Sequence, residues 1–299
     1  DLMLDQIFAS GRGGLDRARL VQHPSLRFAN RRLLPALPDA DCRKVWQVRQ
    51  AFRIATHSGA TGPAMSNAMA EFFPNDLGRT ERFPVSIRTE HGTLHGELAL
   101  VADSPGLVVL AHDTQKLDRR DQLLARYFQH AGLSTLSVDL VSAHEENYPD
   151  VHNNVPLLAK RLVDFLGLIK HRVQMGELAE QPIGLFAANA TSPVVVRVAS
   201  LRDHDIAAIV RRGGLIDLAG VLYLRSLASP LLLLVEESDE LHAASNRRAL
   251  AEVTCPKELR LIPAIGVDYA ISRGFEQHVR EATAWFKQYF AAAGAPRRE

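Results

Sequence analysis

Short runs of branched apolar residues alternate with longer amphipathic stretches from about Phe83 onward. This alternation is typical of βαβ units, which build a mostly parallel sheet that helices cover on both faces. The sequence therefore predicts an α/β fold with a doubly wound, mostly parallel sheet over residues 81–299. The predicted strands cover residues 84–88, 94–101, 107–112, 133–139, 183–187, 206–210, 231–235 and 259–262.

Five helices are predicted between or after these strands, at residues 118–130, 155–174, 193–201, 241–253 and 274–290. The first two strands flank the short segment Glu90-His91-Gly92, which predicts an antiparallel hairpin that leads into the sheet.

Residues 1–80 do not follow this alternation. They carry helical patterns near 15–21, 41–55 and 65–73 that prolines and glycines interrupt, and they form a predicted N-terminal helical arm. The arm is rich in arginine, which indicates either a solvated helical face or a docking surface for an acidic partner. Its apolar side chains are too many to leave in water: Leu33, Leu34, Val45, Trp46, Val48, Phe52, Phe72 and Phe73.

Composition excludes several classes of protein. The formal net charge is +1, so no global attraction to nucleic acid is expected. The longest apolar run of the C-terminal half, residues 231–235, is far too short for a membrane span. Cys42 and Cys255 form no disulfide or metal-ligand pattern, which favours a reducing compartment and thus the cytoplasm. Because the chain starts with Asp1, a missing native start and a removed targeting segment both stay open.

Five segments carry a resemblance to a known family. In order, they are residues 107–113 (LVVLAHD), 131–140 (AGLSTLSVDL), 182–187 (PIGLFA), 212–220 (RGGLIDLAG), and the strand at 231–235 followed by Asp239. Together they resemble the dienelactone-hydrolase group of α/β hydrolases, especially bacterial members joined to a phosphoribosyltransferase. The resemblance covers about residues 83–290 and implies the α/β-hydrolase fold. The arm shows no phosphoribosyltransferase signature.

The resemblance implies a nucleophile on a tight strand-to-helix turn of pattern Gly-x-Ser-x-Gly. The matching segment here is residues 187–191 (AANAT), with Asn189 at the serine position and neither glycine retained. An amide nitrogen is a poor nucleophile, although asparagine tolerates the positive φ that this turn requires. Thr191-Ser192-Pro193 predicts that Ser192 is the N-cap of a helix whose start is displaced, so that the N–H of Ala190 no longer serves an oxyanion.

The other catalytic positions are altered as well. The acid position holds Asp239, the base position falls on Val267, which accepts no proton, and the oxyanion loop carries Asp113, whose charge has the wrong sign. Two side chains are candidate substitutes in a rebuilt site with Asp239: Ser192 as nucleophile and His242 as base. Ser192 is expected instead to be a structural cap and His242 a surface residue.

A second cluster lies after the fourth predicted strand. It comprises His144, Glu145, Glu146, Asp150 and His152, a set that could in principle hold a divalent metal. Its spacing matches no ligand signature, so a solvated loop is expected, and neither a metal nor a cofactor is predicted.

The sequence favours a catalytically inactive protein that serves as a structural or binding subunit. Another protein is the expected partner, contacted through the arm. Two alternatives stay open: an active ester or lactone hydrolase with a rebuilt site, and a non-catalytic binder of a small molecule.

Overall fold

The structure, a computed structural model, describes residues 80–113, 119–202, 205–265 and 273–294. The predicted arm up to residue 79 and Val267 lie outside these residues. Eight strands form one sheet in the order β1-β2-β4-β3-β5-β6-β7-β8. Their bounds are β1 Thr80–Thr89, β2 Gly92–Val101, β3 Leu107–His112, β4 Ser134–Asp139, β5 Ile183–Ala188, β6 Ile206–Arg212, β7 Leu231–Glu236 and β8 Lys257–Ile262.

Seven α-helices belong to the described part of the chain. They are α1 Arg119–His130, α2 Pro149–His152, α3 Val155–Gln174, α4 Ser192–Leu201, α5 Val221–Ser226, α6 Glu240–Leu250 and α7 Arg273–Ala293. Two 3₁₀ turns, Asn189–Thr191 and Ile216–Ala219, stand before α4 and α5.

The sheet is parallel except at one edge. β1 and β2 form the expected antiparallel hairpin, and β2 pairs antiparallel with β4. The six strands from β3 to β8 are mutually parallel. Inner strands such as β3 (LVVLAH) and β7 (LLLLVE) are almost continuously apolar because helices cover both faces of the sheet. Their carboxyl ends meet at one edge, where α/β sheets place their sites.

Two apolar layers lock the helices onto the sheet. One contains Leu162 and Phe165 of α3 together with Val195 of α4. The other is rich in aromatic rings, with Phe128 of α1 against Phe286 of α7 at 5.8 Å between ring centroids. Burial of rings of this size supplies a large share of the hydrophobic stabilisation of such a core.

The sequence-based fold prediction is confirmed: all eight strands and all five predicted helices are present, with ends shifted by a few residues. The prediction missed the short helices α2 and α5 and both 3₁₀ turns.

Candidate functional site

The turn after β5 keeps the geometry of a nucleophile elbow. β5 ends at Ala188, Asn189 adopts a φ of +49°, and the 3₁₀ turn leads directly into α4 at Ser192. Only two non-glycine residues among those described have positive φ, Asn189 and Asp103. Asparagine is among the residues that best tolerate this conformation, so the expected positive φ at Asn189 is confirmed.

The loop after β6 closes tightly around this elbow. Gly213 and Gly214 have φ of +62° and +70°. A Cβ atom at Gly213 would lie 2.6 Å from the side-chain oxygen of Asn189, and one at Gly214 would lie 2.1 Å from its backbone oxygen. A side chain at Gly214 would displace the backbone of the elbow, whereas one at Gly213 would require the Asn189 side chain to move and would also be strained at this φ.

Arg211 fixes the loop that contains Gly213 and Gly214, which we call the glycine loop. The sequence did not predict this role. The Arg211 side chain is fully buried, and its Nη1 donates to the carbonyl oxygens of Gly213 and Gly214. Burial lowers the pKa of Arg211 to about 9, although the charge of Asp217 opposes this shift. The strand pattern contains the signal for this role: Arg211 follows Ile209 by two residues and therefore points to the same buried face.

Thr191 stands where the Gly-x-Ser-x-Gly pattern has its second glycine, and the fold accommodates it. Its buried hydroxyl accepts a hydrogen bond from the N–H of Ala188 at 3.3 Å. The same oxygen lies 2.9 Å from the carbonyl oxygen of Ala188 and 3.1 Å from that of Ala111, so it donates to one of them. Donation to Ala111 ties the elbow to the neighbouring strand β3, whereas donation to Ala188 stays within the elbow itself.

Ser192 does not have the predicted capping role. The N-cap of α4 is Thr191, and Ser192 is already the first helical residue, with Pro193 after it. The Ser192 hydroxyl is fully buried and donates to the carbonyl oxygen of Gly213 at 3.0 Å instead of accepting from backbone N–H groups. The conclusion that it is structural is retained for a different reason: the hydroxyl faces the glycine loop and not the surface.

The prediction that the start of the helix after the elbow is displaced is only partly correct. The α-helix begins at Ser192, three residues after the tip, but the intervening residues form a 3₁₀ turn and no extended loop. The chain therefore becomes helical directly after Asn189, as it does at an elbow that carries a nucleophile.

Asp239, the acid position, is the N-cap of α6 and has an imidazole partner. Its carboxylate accepts from the backbone N–H of His242 at 3.2 Å and lies 2.8 Å from Nδ1 of the same residue. Burial alone raises the pKa of Asp239, but the hydrogen bonds to His242 outweigh it and lower the pKa below its ordinary value. The side chain of His242 is 37% exposed, so it lies at the surface as expected, and it is in addition bound to the carboxylate of Asp239.

This pair does not complete a triad in the described part of the chain. β5 and β7 are separated by β6, which places their carboxyl ends about 10 Å apart at ordinary strand spacing. The hydrogen bonds of the described residues join His242 to Asp239 and to Asn246, and none joins it to Asn189. The predicted base position, Val267, lies outside the described residues.

Asp113, which the resemblance assigns to the oxyanion loop, lies at the same edge of the sheet. Asp113 follows β3, and one of its oxygens lies 3.8 Å from Nδ1 of His152. The edge also carries the carboxylates of Glu236, Glu237 and Asp239. This edge is therefore rich in carboxylates.

A buried acid–imidazole group beside the site was also missed. Asp139 and His112 are neighbours in register at the ends of β4 and β3, and Nδ1 of His112 lies 3.5 Å from a carboxyl oxygen of Asp121. Burial raises the pKa of Asp139 to about 6, although the nearby imidazoles of His112 and His95 lower it. β3 separates β4 from β5, so Asp139 lies about 10 Å from the elbow, beyond hydrogen-bond reach.

The sequence predicts a solvated loop for the histidine and acid cluster after β4. This prediction is wrong for part of the cluster. Glu145 is buried and pairs with Arg161 of α3 at 2.7 Å. His152 lies 3.1 Å from the backbone oxygen of Glu146, and His144 packs against Tyr148. In the described residues, no group of three or more His, Cys, Asp or Glu side chains is arranged to hold a metal ion. Nor does any described helix have the length and apolar character of a membrane span.

Fold and elbow together define the class: this chain has the α/β-hydrolase fold of the dienelactone-hydrolase type. A dienelactone hydrolase from Anabaena variabilis superposes with a TM-score of 0.63 at 28% identity, over 71% of this chain and 99% of that one. A cold-adapted esterase from an Arctic metagenomic library gives 0.55 at 16% identity, over 70% and 95% of the two chains. A CIB-like hydrolase from Thermoplasma acidophilum gives 0.53 at 13% identity, over 70% and 99%.

Sequence comparison identifies a relative among curated proteins. A protein found in two strains of Mycobacterium tuberculosis is 29% identical over 201 residues and bears the name "Putative phosphoribosyl transferase". The alignment covers 67% of this chain but only 44% of that relative. No protein-family model matches the sequence.

Proposed function

We propose that this chain is a catalytically inactive α/β-hydrolase-fold protein that acts as a binding subunit of a protein assembly. One observation carries the proposal: Asn189 occupies the tip of an intact elbow at a φ of +49°. The turn that presents a nucleophile is retained, but the residue that it presents cannot attack a carbonyl carbon.

The surroundings of Asn189 support the loss of turnover. The nearest alternative hydroxyls on the elbow, those of Thr191 and Ser192, are buried and bound to carbonyl oxygens. A nucleophile needs a base within hydrogen-bond reach, whereas these hydroxyls face only backbone acceptors. Asp113 adds a negative charge where an oxyanion would develop.

One observation favours a rebuilt hydrolase as the second candidate. The carboxylate of Asp239 orients the Nδ1 edge of His242, which is the relation that a triad acid has to its base. The nucleophile considered for this dyad, the hydroxyl of Ser192, is fully buried and donates to the carbonyl oxygen of Gly213. The first candidate therefore has the stronger support.

Turnover assays separate the two candidates. The purified chain is assayed with aryl esters and with lactones, beside Ser192→Ala and His242→Ala. The proposal predicts rates equal to the uncatalysed background for all three proteins. Ester hydrolysis that either substitution abolishes would establish the rebuilt site and refute the proposal.

The assembly role rests on the segment before Thr80, which we propose contacts another protein in the cytoplasm. Outside residues 41–55 it carries Leu33, Leu34, Phe72 and Phe73, whose side chains require burial, and arginines such as Arg27, Arg31 and Arg32, which suit a polar-rimmed interface. A pull-down from the native cell with and without residues 1–80 tests this role. The full chain should recover a partner that the truncated chain loses, and recovery of no protein by either version would contradict the role.

A further inference from the structure

Four large apolar side chains stand exposed beside the glycine loop, on the 3₁₀ turn after β6 and the first turns of α5 and α6. Their exposed fractions are 62% for Leu218, 45% for Val221, 74% for Leu222 and 77% for Leu241. We call these four residues the apolar patch. The three elements that carry them pack against one another, and exposed apolar surface of this kind on a folded domain can serve as a contact site.

The three elements of the apolar patch are fixed to one another and to the elbow. The side chain of Asn246 in α6 accepts from the N–H of Ile216 at 3.2 Å and donates to the carbonyl oxygen of Gly214 at 3.0 Å. Arg225 of α5 pairs with Glu252, just after α6, at 2.7 Å. The patch is therefore a preformed surface, attached to the same loop that holds Asn189.

Carboxylates predominate next to the apolar patch: the exposed Arg225 of α5 is paired with Glu252, and Arg247 and Arg248 lie in the last turn of α6, away from Leu241. Asp217, Glu237 and Glu240 are exposed next to it in sequence, and they form no ion pair with another described residue. Asp239 adds a fourth carboxylate, which His242 already binds. An occupant that complements this surface has an apolar face with basic side chains at its edges.

Residues 41–55 of the same chain have this chemistry. The segment contains Val45, Val48 and Phe52 at the spacing of one helix face. It also contains four basic residues, Arg43, Lys44, Arg49 and Arg53, and a single acid, Asp41.

The connection is long enough for this segment to reach the apolar patch. β1 starts at Thr80 and pairs with the end of β2, so the chain enters the sheet at the edge opposite to the elbow. The 24 residues from 56 to 79 can span about 80 Å when extended. A domain of this size has a radius of gyration of about 17 Å, and hence a diameter of roughly 45 Å.

We propose that residues 41–55 dock on the apolar patch of their own chain, with the apolar face on the leucines and the basic side chains on the neighbouring carboxylates. Docking within one chain is favoured over docking between two copies, because a tether of this kind gives an effective concentration in the millimolar range. The inference does not depend on the absence of turnover, so a catalytically active chain would leave its tests unchanged.

A disulfide test exploits the native thiol of Cys42, at the start of the docking segment. Leu222→Cys in the full chain, under mild oxidation, should form a disulfide within one chain at least tenfold faster than Met175→Cys. Met175 has a comparable exposed fraction, 62%, but follows α3 at the opposite edge of the sheet. Cys255 does not compete, because it is buried and burial raises the pKa of its thiol to about 11.

Mass spectrometry identifies the product, and Cys42→Ser should abolish it. Equal rates for Leu222→Cys and Met175→Cys would overturn the proposal. Disulfides that join two chains would overturn it as well, in favour of a second copy as occupant.

Proteolysis gives a second readout that needs no new bond. Trypsin cleaves after Arg49 and Arg53, and docking should protect both sites. Leu222→Asp combined with Leu241→Asp should raise the rate of cleavage there at least tenfold, whereas Met175→Asp should leave it unchanged. Cleavage at the same rate in the parent and in the double variant would refute the docking.

Discussion

The buried ion pair between Glu145 and Arg161 gives the sharpest stability prediction, for the substitution Glu145→Gln. The two side chains are 6% and 3% exposed, and Nη2 of Arg161 lies 2.7 Å from Oε1 of Glu145. The other carboxylate oxygen accepts from the hydroxyl and the N–H of Ser142 at 2.7 and 3.1 Å. Nη1 of Arg161 donates to the carbonyl oxygen of Leu140 at 2.7 Å. The pair thus fixes the loop after β4 onto α3.

Two estimates of the magnitude agree. Removing one partner of a buried pair leaves the other charge uncompensated, which costs about 3–5 kcal/mol. Burial by itself would raise the pKa of Glu145, but the hydrogen bonds from Arg161 and Ser142 lower it from 4.5 to about 2. A shift of that size corresponds to about 3 kcal/mol of stability.

The sign of the pH dependence follows from the lowered pKa. The stabilisation by Glu145 is fully present above pH 4.5 and is lost as the pH falls through about 2. Glu145→Gln should therefore lower the free energy of unfolding by about 3 kcal/mol at pH 7 and by roughly half of that at pH 3. Adding Arg161→Met should restore part of the loss, because it removes the unpaired charge.

Urea unfolding at pH 7 and pH 3 measures these differences, with Glu97→Gln as the matched control. Glu97 pairs with Arg82 at the surface, where the side chains are 53% and 37% exposed, and such pairs contribute less than about 1 kcal/mol. A loss below about 1 kcal/mol for Glu145→Gln at pH 7, or a loss that does not shrink at pH 3, would refute the reasoning.

Three further predictions concern the site and its surroundings. Gly214→Ala should lower the free energy of unfolding in urea by more than about 2 kcal/mol, because the new Cβ atom would meet the backbone of Asn189. The control Gly176→Ala should cost about 1 kcal/mol, because Gly176 has a similar φ but no heavy atom near the position of the new Cβ atom. Asp139→Asn should raise the free energy of unfolding at pH 8 by about 1–2 kcal/mol and have little effect near pH 4. The unfolded chain ionises from about pH 3.8 but the fold only near pH 6, so the ionised carboxylate costs stability that builds up over this range and stays constant above it; equal effects at both pH values would contradict this. Asn189→Ser with Val267→His should give a kcat/KM toward aryl esters below about 10² M⁻¹s⁻¹, whereas working enzymes reach 10⁴ or more, because triad members act as a unit; efficient hydrolysis would show that the site is less altered than proposed.

Local features of the sequence predicted most of the fold and the elbow. Continuous apolar runs such as residues 231–235 mark buried strands whatever lies next to them. The positive φ of Asn189 was predictable for the same reason, since the conformational preference belongs to the residue and its turn. Helices α2 and α5, with four and six residues, are too short to show a helical period.

Contacts between distant segments could not be predicted. In the sequence, Glu145 is one of several polar residues of a loop, and nothing marks Arg161, 16 positions later, as its partner. Only the fold brings the two side chains into contact. Ser192 appears as a cap because its partner, the carbonyl oxygen of Gly213, lies on another strand end. Arg211 is a charged residue near the end of a strand, a position where an exposed side chain is usually expected. Its side chain is instead buried and donates to the glycine loop.

Covalent trapping tests the absence of a nucleophile most directly. The full chain is incubated with a fluorophosphonate, which labels activated serine hydroxyls, and its intact mass is followed beside an active dienelactone hydrolase. No adduct is expected on this chain under conditions that label the active enzyme fully. An adduct that maps to Ser192 and disappears in His242→Ala would contradict the account and establish a working hydrolase.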